Sequence, residues 1–218
     1  GCSLLMLLHS TSSLHSSSVR VRALRGFTIV ELMVSVVIFV FINAVILVRH
    51  SQFNAQILLT NVAYEVGLAV REAQVYGLGV RGASGNFSAS YGVHFNGGSA
   101  TTLDSFQIFR DFPDGSNDCS PSGGAGTSCY ESGELLEHKQ MNGGYTISDF
   151  CITQGGSTLC KNADNVQFLD IVFTRPNPDA AIRSNTSLTW TSTTLTVRSR
   201  EGTTRTVTVT STGQITVQ

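Results

Sequence analysis

The longest feature of the hydrophobic pattern is one uninterrupted apolar run near the N-terminus. Residues 27–48 contain a single charged side chain, that of Glu31, and Arg49 and His50 follow the run. At a rise of about 1.5 Å per residue, a helix of this length extends about 33 Å, enough to cross the hydrocarbon core of a bilayer. The pattern therefore predicts a membrane-spanning helix.

Apolar residues continue at helical spacing beyond this run. Between residues 51 and 76 they recur mostly at i, i+3 and i+4 among glutamines, asparagines and charged residues, a spacing typical of an amphipathic helix. Gly77 and Gly79 supply a stop signal. Residues 49–77 are therefore predicted to continue the helix. Its apolar stripe is expected to pack on the protein's own sheet, with coiled-coil pairing to another helix as the alternative.

After the helix, the pattern changes to short β-like runs separated by Gly, Ser, Asn and Pro. Alternation is clearest near the C-terminus, where Glu201-Gly202 and Thr212-Gly213 are the predicted turns of a three-stranded antiparallel meander. Residues 78–218 are thus expected to form a β-rich head. The predicted strands are residues 91–95, 105–110, 145–151, 166–173, 187–191, 194–200, 204–210 and 214–217.

The composition favours a head outside the cytosol. Only 13% of the 218 residues are charged, about half the share usual for soluble domains. With a net charge of −1, the chain as a whole is not attracted electrostatically to nucleic acid or to an anionic surface. Low charge with abundant Gly, Ser and Thr is typical of an extracytoplasmic β-rich domain. The length allows one globular domain plus an appendage.

The residues before the apolar run indicate its orientation. Residues 1–26 end in a basic stretch with three arginines. Positive charges immediately before a span keep that end in the cytoplasm, so the head is expected outside. The chain begins with Gly1 and not with Met. We therefore expect the sequence to be a fragment or its start to be wrongly assigned.

Two ordinary alternatives are a signal anchor and an uncleaved secretory signal. A secretory signal has a shorter apolar core and a small-x-small cleavage site, and no such site follows Val48. An ordinary anchor has no use for Glu31, because a carboxylate within an apolar span costs about 2.5–3.5 kcal/mol on insertion scales. Glu31 is therefore expected to be paired and functional.

The residues around Glu31 resemble a known processing signal. After the basic leader, residues 26–31 read Gly-Phe-Thr-Ile-Val-Glu, which is similar to the type III signal of type IV pilins and pseudopilins. The resemblance implies that a prepilin peptidase cleaves between Gly26 and Phe27 and methylates the new Phe27 amine. Residues 1–26 would then be a cleaved leader.

The same resemblance implies an assembly role for Glu31. Cleavage creates a cationic amine on Phe27, four residues before the carboxylate. In a filament, the Glu31 carboxylate of one subunit would neutralise the Phe27 amine of its neighbour. Two charges that are each costly in an apolar setting become tolerable as a pair, and the pair helps to fix the axial register of the helices.

The head carries a second resemblance. The Tyr-Gly-Val-His-Phe stretch at residues 91–95, the Arg175-Pro176 segment and the terminal Gly-containing hairpin resemble the GspH/FimT group. That group comprises minor pseudopilins of type II secretion and minor pilins of type IV pili. The implied fold class is α+β, with a long N-terminal helix packed on an antiparallel, sandwich-like β-rich head. The helix would span the membrane in its first half and be amphipathic in its second.

Four of the five cysteines lie in the head. They are Cys119, Cys129, Cys151 and Cys160, and Cys2 stands alone in the leader. In a loop-rich stretch they indicate disulfides formed in an oxidising compartment. Pairing of sequence neighbours is the simplest of the three connectivities. A Cys₄ zinc site is the alternative, although neither pair has the short spacing typical of zinc ligands.

Other candidate chemistry is limited. Asp111, Asp114 and Asp118 could bind calcium, which some pseudopilins of type II secretion hold in a head loop, but a polar surface turn is the simpler interpretation. EF-hand spacing is absent. The chain has no P-loop, zinc-protease or nucleophile-elbow motif. Neither an enzyme nor a resident cofactor is therefore expected.

DNA capture is the main alternative function. Minor pilins of the FimT kind contact DNA through a Gly-Arg-x-Arg motif in the last hairpin, whereas residues 213–216 here read Gly-Gln-Ile-Thr. Arg198, Arg200 and Arg205 could form a small basic patch with salt-dependent phosphate contacts. Glu201 and the near-neutral chain oppose this interpretation.

The sequence thus predicts a structural subunit, a minor pilin or pseudopilin, of a type IV pilus, a type II secretion pseudopilus or a DNA-uptake filament. Its expected location is the cytoplasmic (inner) membrane, as a single-pass protein, and then the pilus or pseudopilus. Its expected partners are other pilin subunits, prepilin peptidase and the assembly platform. The alternatives are a DNA-binding competence minor pilin and a signal-anchored binding protein or enzyme.

Overall fold

The computed structural model describes residues 26–79, 89–98, 102–112, 119, 126–131, 133–186 and 190–218, without the side chains of residues 48–54. The chain divides into two compact units, Gly1–Leu47 and Val48–Gln218. All of the predicted leader except Gly26 lies outside the described residues.

One long helix, α1, spans Ile29–Leu78. Its first part, Ile29–Leu47, has a mean hydropathy of 2.7 and contains no buried residue. By length and composition this part is suited to cross a membrane, which agrees with the predicted span.

Within the second unit, α1 buries one stripe of small and aliphatic side chains. Leu59, Ala63, Val66, Val70 and Ala73 are all buried. They follow one another at intervals of three or four residues and therefore share one face of the helix. The stripe belongs to one hydrophobic core that also contains residues of both sheets.

Ten strands and one short second helix, α2 (Lys161–Asp164), occur among the described residues. The strands are β1 (Ser90–Asn96), β2 (Ser105–Asp111), β3 (Leu135–Gln140), β4 (Thr146–Gln154), β5 (Ser157–Cys160), β6 (Phe168–Phe173), β7 (Ala180–Ser184), β8 (Ser192–Arg198), β9 (Thr204–Thr210) and β10 (Ile215–Val217).

The strands form two antiparallel sheets, with strand orders β3-β2-β1-β6-β7 and β10-β9-β8-β4-β5. In the first sheet, Val93 pairs with Ile108 on one side and Ile171 on the other. In the second, Leu195 pairs with Val207. All five side chains are buried, because alternate residues of a strand share a face and one face of each sheet supplies the core. The predicted α+β class with antiparallel sheets is confirmed.

The predicted C-terminal meander is also confirmed. Strands β8, β9 and β10 are neighbours in one sheet. The chain turns between them at Gly202 and Gly213, whose φ angles are 89° and 78°. Glycine adopts such positive angles without the steric cost that other residues incur.

Three short strands were missed by the sequence analysis. The residues of β3 are almost all exposed, so they show no alternation between apolar and polar positions. Strands β5 and β7 have only four and five residues, too few for periodicity to be detected. The predicted strand at residues 187–191 lies mostly outside the described residues, and Trp190 and Thr191 are not in a strand.

Threonines line the outward face of the second sheet. Thr194 and Thr196 of β8 pair with Thr208 and Thr206 of β9, and Thr216 of β10 pairs with Thr208. The Thr194 and Thr208 hydroxyls are 3.3 Å apart. Because threonine combines a preference for strands with a hydroxyl, this face is polar although few of its residues are charged.

Close approach fixes the C-terminal end of α1 on the strands. A Cβ atom at Gly77 would lie 2.6 Å from the backbone oxygen of Phe173 in β6. One turn earlier, Gln74 Nε2 donates hydrogen bonds to the carbonyl oxygens of Pro178 and Gly213, at 3.1 and 3.2 Å. A side chain larger than hydrogen at position 77 would force the helix away from β6.

Gly77→Ala is therefore expected to destabilise the head, although alanine is favoured over glycine by about 1 kcal/mol inside a helix. The methyl group would overlap the Phe173 backbone, and overpacking of this kind costs about 1–3 kcal/mol. Denaturant unfolding of the detergent-solubilised chain, followed by fluorescence of the single, buried Trp190, measures the change.

The control is Gly133→Ala, since a Cβ atom at Gly133 would meet nothing within 4 Å. Its stability should stay close to that of the parent chain. A Gly77→Ala variant as stable as the parent, or more so, would contradict the close approach of α1 to β6.

Candidate functional sites

The first candidate site is the start of α1. Thr28 immediately precedes the helix, and its Oγ1 accepts a hydrogen bond from the backbone N–H of Glu31 at 3.2 Å. Thr-x-x-Glu is the spacing of a capping box, and a carboxylate in the first turn interacts favourably with the helix dipole. Thr28 therefore caps the helix, and the Thr-x-x-Glu spacing is a signal for this cap that could have been read from the sequence.

The surface around Glu31 is apolar and uncovered. Phe27 is 72% exposed and Ile29 81% exposed, and no residue of Ile29–Leu47 is buried. Apolar area of this extent is unfavourable in water and marks contact with lipid or with another apolar surface. Once so covered, the Glu31 carboxylate needs a counter-charge, because an isolated charge in an apolar medium is costly.

Two other polar side chains of the span are satisfied within the helix itself. Ser35 Oγ donates to the carbonyl oxygen of Glu31, and Asn43 Nδ2 donates to that of Phe39, both at 2.7 Å. Such bonds to the residue four positions earlier reduce the cost of a polar group in lipid. Glu31 carries the only charge in the predicted span.

The four head cysteines form two disulfides between sequence neighbours. Cys119 and Cys129 are bonded with a Cα–Cα distance of 5.2 Å, and Cys151 and Cys160 with one of 4.0 Å. The second bond joins directly opposite residues of β4 and β5. The predicted pairing is confirmed. Asp149 lies near the second pair, but sulfurs bonded to each other are not the thiolates that a zinc site requires.

A row of polar residues crosses the first sheet, and the sequence analysis missed it. His138, Gln107, His94, Asp170 and Arg183 are successive cross-strand neighbours on β3, β2, β1, β6 and β7. The last three are buried. Only the register of the strands brings these residues together, since they are far apart along the chain.

Two members of this row hold the loop that the first disulfide closes. Asp170 Oδ2 accepts hydrogen bonds from Ser128 Oγ at 2.9 Å and from the Cys129 backbone N–H at 2.8 Å. Arg183 Nη2 donates to the carbonyl oxygen of Cys119 at 2.8 Å. Both ends of the loop are therefore attached to the sheet through buried, charged side chains.

Ser128, His94 and Asp170 are the residue types of a hydrolytic triad, but their geometry is different. His94 Nδ1 lies 2.6 Å from Asp170 Oδ1 and 3.3 Å from Ser128 Oγ. In a triad the carboxylate and the serine face the two different ring nitrogens. Because both groups here face Nδ1, His94 does not connect them as a proton relay, and the cluster fastens the loop instead.

The structure separates the arginines of the predicted basic patch. Arg198 has the same strand parity as Thr194 and Thr196, on the outward face of β8, and is exposed. Arg205 projects from the other face of the sheet toward α1, where its Nε donates to Thr60 Oγ1 at 3.5 Å. Arg205 therefore does not join Arg198 in one basic patch: Arg205 pairs with Val197 and shares its face, whereas Arg198 lies on the opposite one.

Arg200 and the aspartates of the predicted calcium loop are the remaining predicted site residues. Arg200 is exposed and lies in the turn after β8, beside Gly144. Asp111 is buried, and its Oδ2 accepts a hydrogen bond from the Cys119 backbone N–H at 3.3 Å. Asp114 and Asp118, the other residues of the predicted calcium loop, lie outside the described residues.

Comparisons with models of known protein families, with curated proteins and with solved structures give no match for this chain. Its function is therefore argued from its own residues and geometry.

Asp170→Asn is expected to destabilise the head by about 1.5–3 kcal/mol, the usual contribution of a hydrogen bond to a charged group. Ser128 and the Cys129 N–H both donate to Oδ2, so an amide oxygen at that place keeps these two bonds but removes the negative charge that strengthens them. Its NH2 group then replaces the acceptor Oδ1 beside His94 Nδ1. Denaturant unfolding measures the change. Asp179→Asn removes the same charge at an exposed position and should shift stability by less than about 0.5 kcal/mol. Equal effects of the two substitutions would show that charge alone, and not the buried bonds, is responsible.

Proposed function

We propose that this chain is a filament subunit of the type IV pilin kind, a minor pilin or pseudopilin that is cut before Phe27 and assembled through α1. The observation that carries the proposal is the Glu31 carboxylate at the start of an apolar helix segment with no buried residue. Lipid covers such a segment well but disfavours its charge. A neighbouring copy can supply both an apolar surface and a compensating cation.

The cation in this proposal is the Phe27 amine of a neighbouring subunit, set free by cleavage after Gly26. Gly26 lies outside the helix, and a Cβ atom there would meet nothing within 4 Å. No contact of the described chain therefore requires glycine at this position. A peptidase whose subsite accepts only the smallest residue before the cut would require it.

The head in this proposal lies outside the cytoplasm. The two disulfides support an oxidising compartment. We infer that the second half of α1 is an amphipathic continuation packed on a sandwich-like head, and the buried stripe and the shared core support this. The partners are the inner membrane, prepilin peptidase, the assembly platform and other pilin subunits. DNA binding is not proposed, because Arg198 and Arg205 leave opposite faces of the sheet.

The mature protein, purified from a host with a prepilin peptidase, is expected to begin with N-methylated Phe27. Intact-mass and N-terminal peptide mass spectrometry check this. Gly26→Val should leave the precursor uncleaved while the helix content by circular dichroism is unchanged, since the side chain meets no neighbour. An intact leader on the parent protein, or a start at another residue, would overturn the proposal.

Glu31→Gln is expected to leave membrane insertion intact and to reduce incorporation into filaments at least about tenfold. Glutamine keeps the capping-box role, so the substitution removes only the charge and leaves the neighbour's amine unpaired, at a cost of about 3–5 kcal/mol. The measurement is the ratio of subunit in sheared filaments to subunit in membranes.

The matched control for this experiment is Ser35→Ala, which removes a polar group of the same span whose bond lies within the helix. It should assemble as the parent chain does. Normal assembly of Glu31→Gln would exclude charge pairing, and an equal loss in both variants would point to a general defect of the helix.

A further inference from the structure

A shallow pocket of about 250 Å³ lies between α1 and β9, within the second unit. Among the residues that the structure describes, its lining combines one cation with amide and hydroxyl groups and contains no carboxylate. The lining residues are Gln56, Ile57, Thr60, Asn61 and Arg205.

The position of Arg205 follows from the alternation of β9. Val207 and Val209 are buried, and Arg205 has the same parity, so its side chain leaves the sheet on the core side. Its side chain is only half-buried, whereas those of Val207 and Val209 are fully buried. Arg205 therefore lies at the edge of the hydrophobic core. Its Nε bond to the neutral Thr60 hydroxyl, at 3.5 Å, is at the long limit for a hydrogen bond.

Lys139, another half-buried cation, is paired with carboxylates and differs from Arg205 in this respect. Lys139 Nζ lies 2.6 Å from Glu137 and 3.9 Å from Glu72. The hydrogen bond with Glu137 raises the pKa of Lys139, and the charges of Glu137, Glu72 and Glu65 act in the same direction against partial burial. Among the side chains that the structure describes, no carboxylate lies within 4.0 Å of the Arg205 guanidinium.

We propose that this pocket binds a phosphate oxyanion through Arg205. A guanidinium presents several donors in a planar fork that matches two oxygens of a phosphate. The side-chain amides of Gln56 and Asn61 add neutral donors around it. The Thr60 hydroxyl donates to the Gln56 carbonyl oxygen at 2.9 Å, so it contributes no donor to the anion. The same chemistry is offered by the headgroup of an anionic phospholipid and by free phosphate, and the pocket takes either through the same contacts. The proposal does not depend on the filament function.

The test uses the full chain in micelles of an uncharged detergent, with the backbone amide signals of residues 56–61 followed by NMR. Titration with inorganic phosphate, and separately with phosphatidylglycerol doped into the micelles, should shift these signals saturably. Arg205→Gln should weaken binding at least about tenfold, because a hydrogen bond to a charged group is worth that much. Arg205→Lys keeps the positive charge but lacks the planar fork of donors, so its affinity should lie between those of the parent chain and Arg205→Gln.

The matched control is Arg198→Gln, which removes the same charge from the opposite face of the sheet and should bind as the parent does. Unchanged Trp190 fluorescence establishes that each variant is folded. Saturation by inorganic phosphate assigns a free anion. A response to phosphatidylglycerol alone, without one to diacylglycerol, assigns a lipid headgroup.

Three results would overturn the proposal. The first is the absence of a saturable shift with either probe in the parent chain. The second is equal weakening by Arg198→Gln and Arg205→Gln, which would show a diffuse charge effect. The third is a concentration-dependent shift of residues 56–61 without any phosphate, which would show that a second copy occupies the pocket.

Discussion

The Ile29–Leu47 part of α1 is apolar and has no buried residue in the described structure, so its side chains favour an apolar surrounding over water. Burying one large aliphatic side chain is worth about 1.5–3 kcal/mol, so a long row of them strongly favours lipid or a neighbouring helix over water. Ser35 and Asn43 lower the remaining polar cost by bonding back to the helix. Glu31 lies in the first turn of the helix, beside the Thr28 cap. In an apolar surrounding its carboxylate needs a counter-charge, and the proposed filament contact would supply one.

The second unit is built to hold its part of α1 tightly. Small residues in the buried stripe allow close approach, and Gln74 ties the helix to two separate carbonyl oxygens. The disulfide between Cys119 and Cys129 and the buried Asp170 carboxylate fasten a loop to the far side of the first sheet. These contacts lie wholly within the second unit, so its internal bonding does not draw on the apolar span.

Features that depend on neighbouring residues in the sequence could be predicted, and those that depend on strand register could not. The span, the two glycine turns of the meander and the disulfides between sequence neighbours are local, and the structure agrees with them. The polar row through His94 and Asp170 arises only from pairing between distant strands. The face of Arg205 was predictable in principle, because it stands two residues before the core residue Val207.

The exposed strand β3 and the short strands β5 and β7 show where prediction from the hydrophobic pattern fails. A strand that buries little has no apolar alternation to read, and its pairing is fixed by the strands beside it. The low charge of the chain also has a counterpart in the sheets. Threonine rows supply the polar surface of the second sheet, so its outward face needs few ionised side chains.

The cap at Thr28 also determines how much backbone is available to a proteolytic enzyme. Residues 26–28 are not helical, and α1 begins only at Ile29. The peptide bond after Gly26 thus lies in backbone whose N–H and C=O groups are not engaged in helical hydrogen bonds. An enzyme that binds its substrate in an extended conformation could reach this bond without first unwinding the first turn of α1. If the helix began one turn earlier, the same bond would be closed to it.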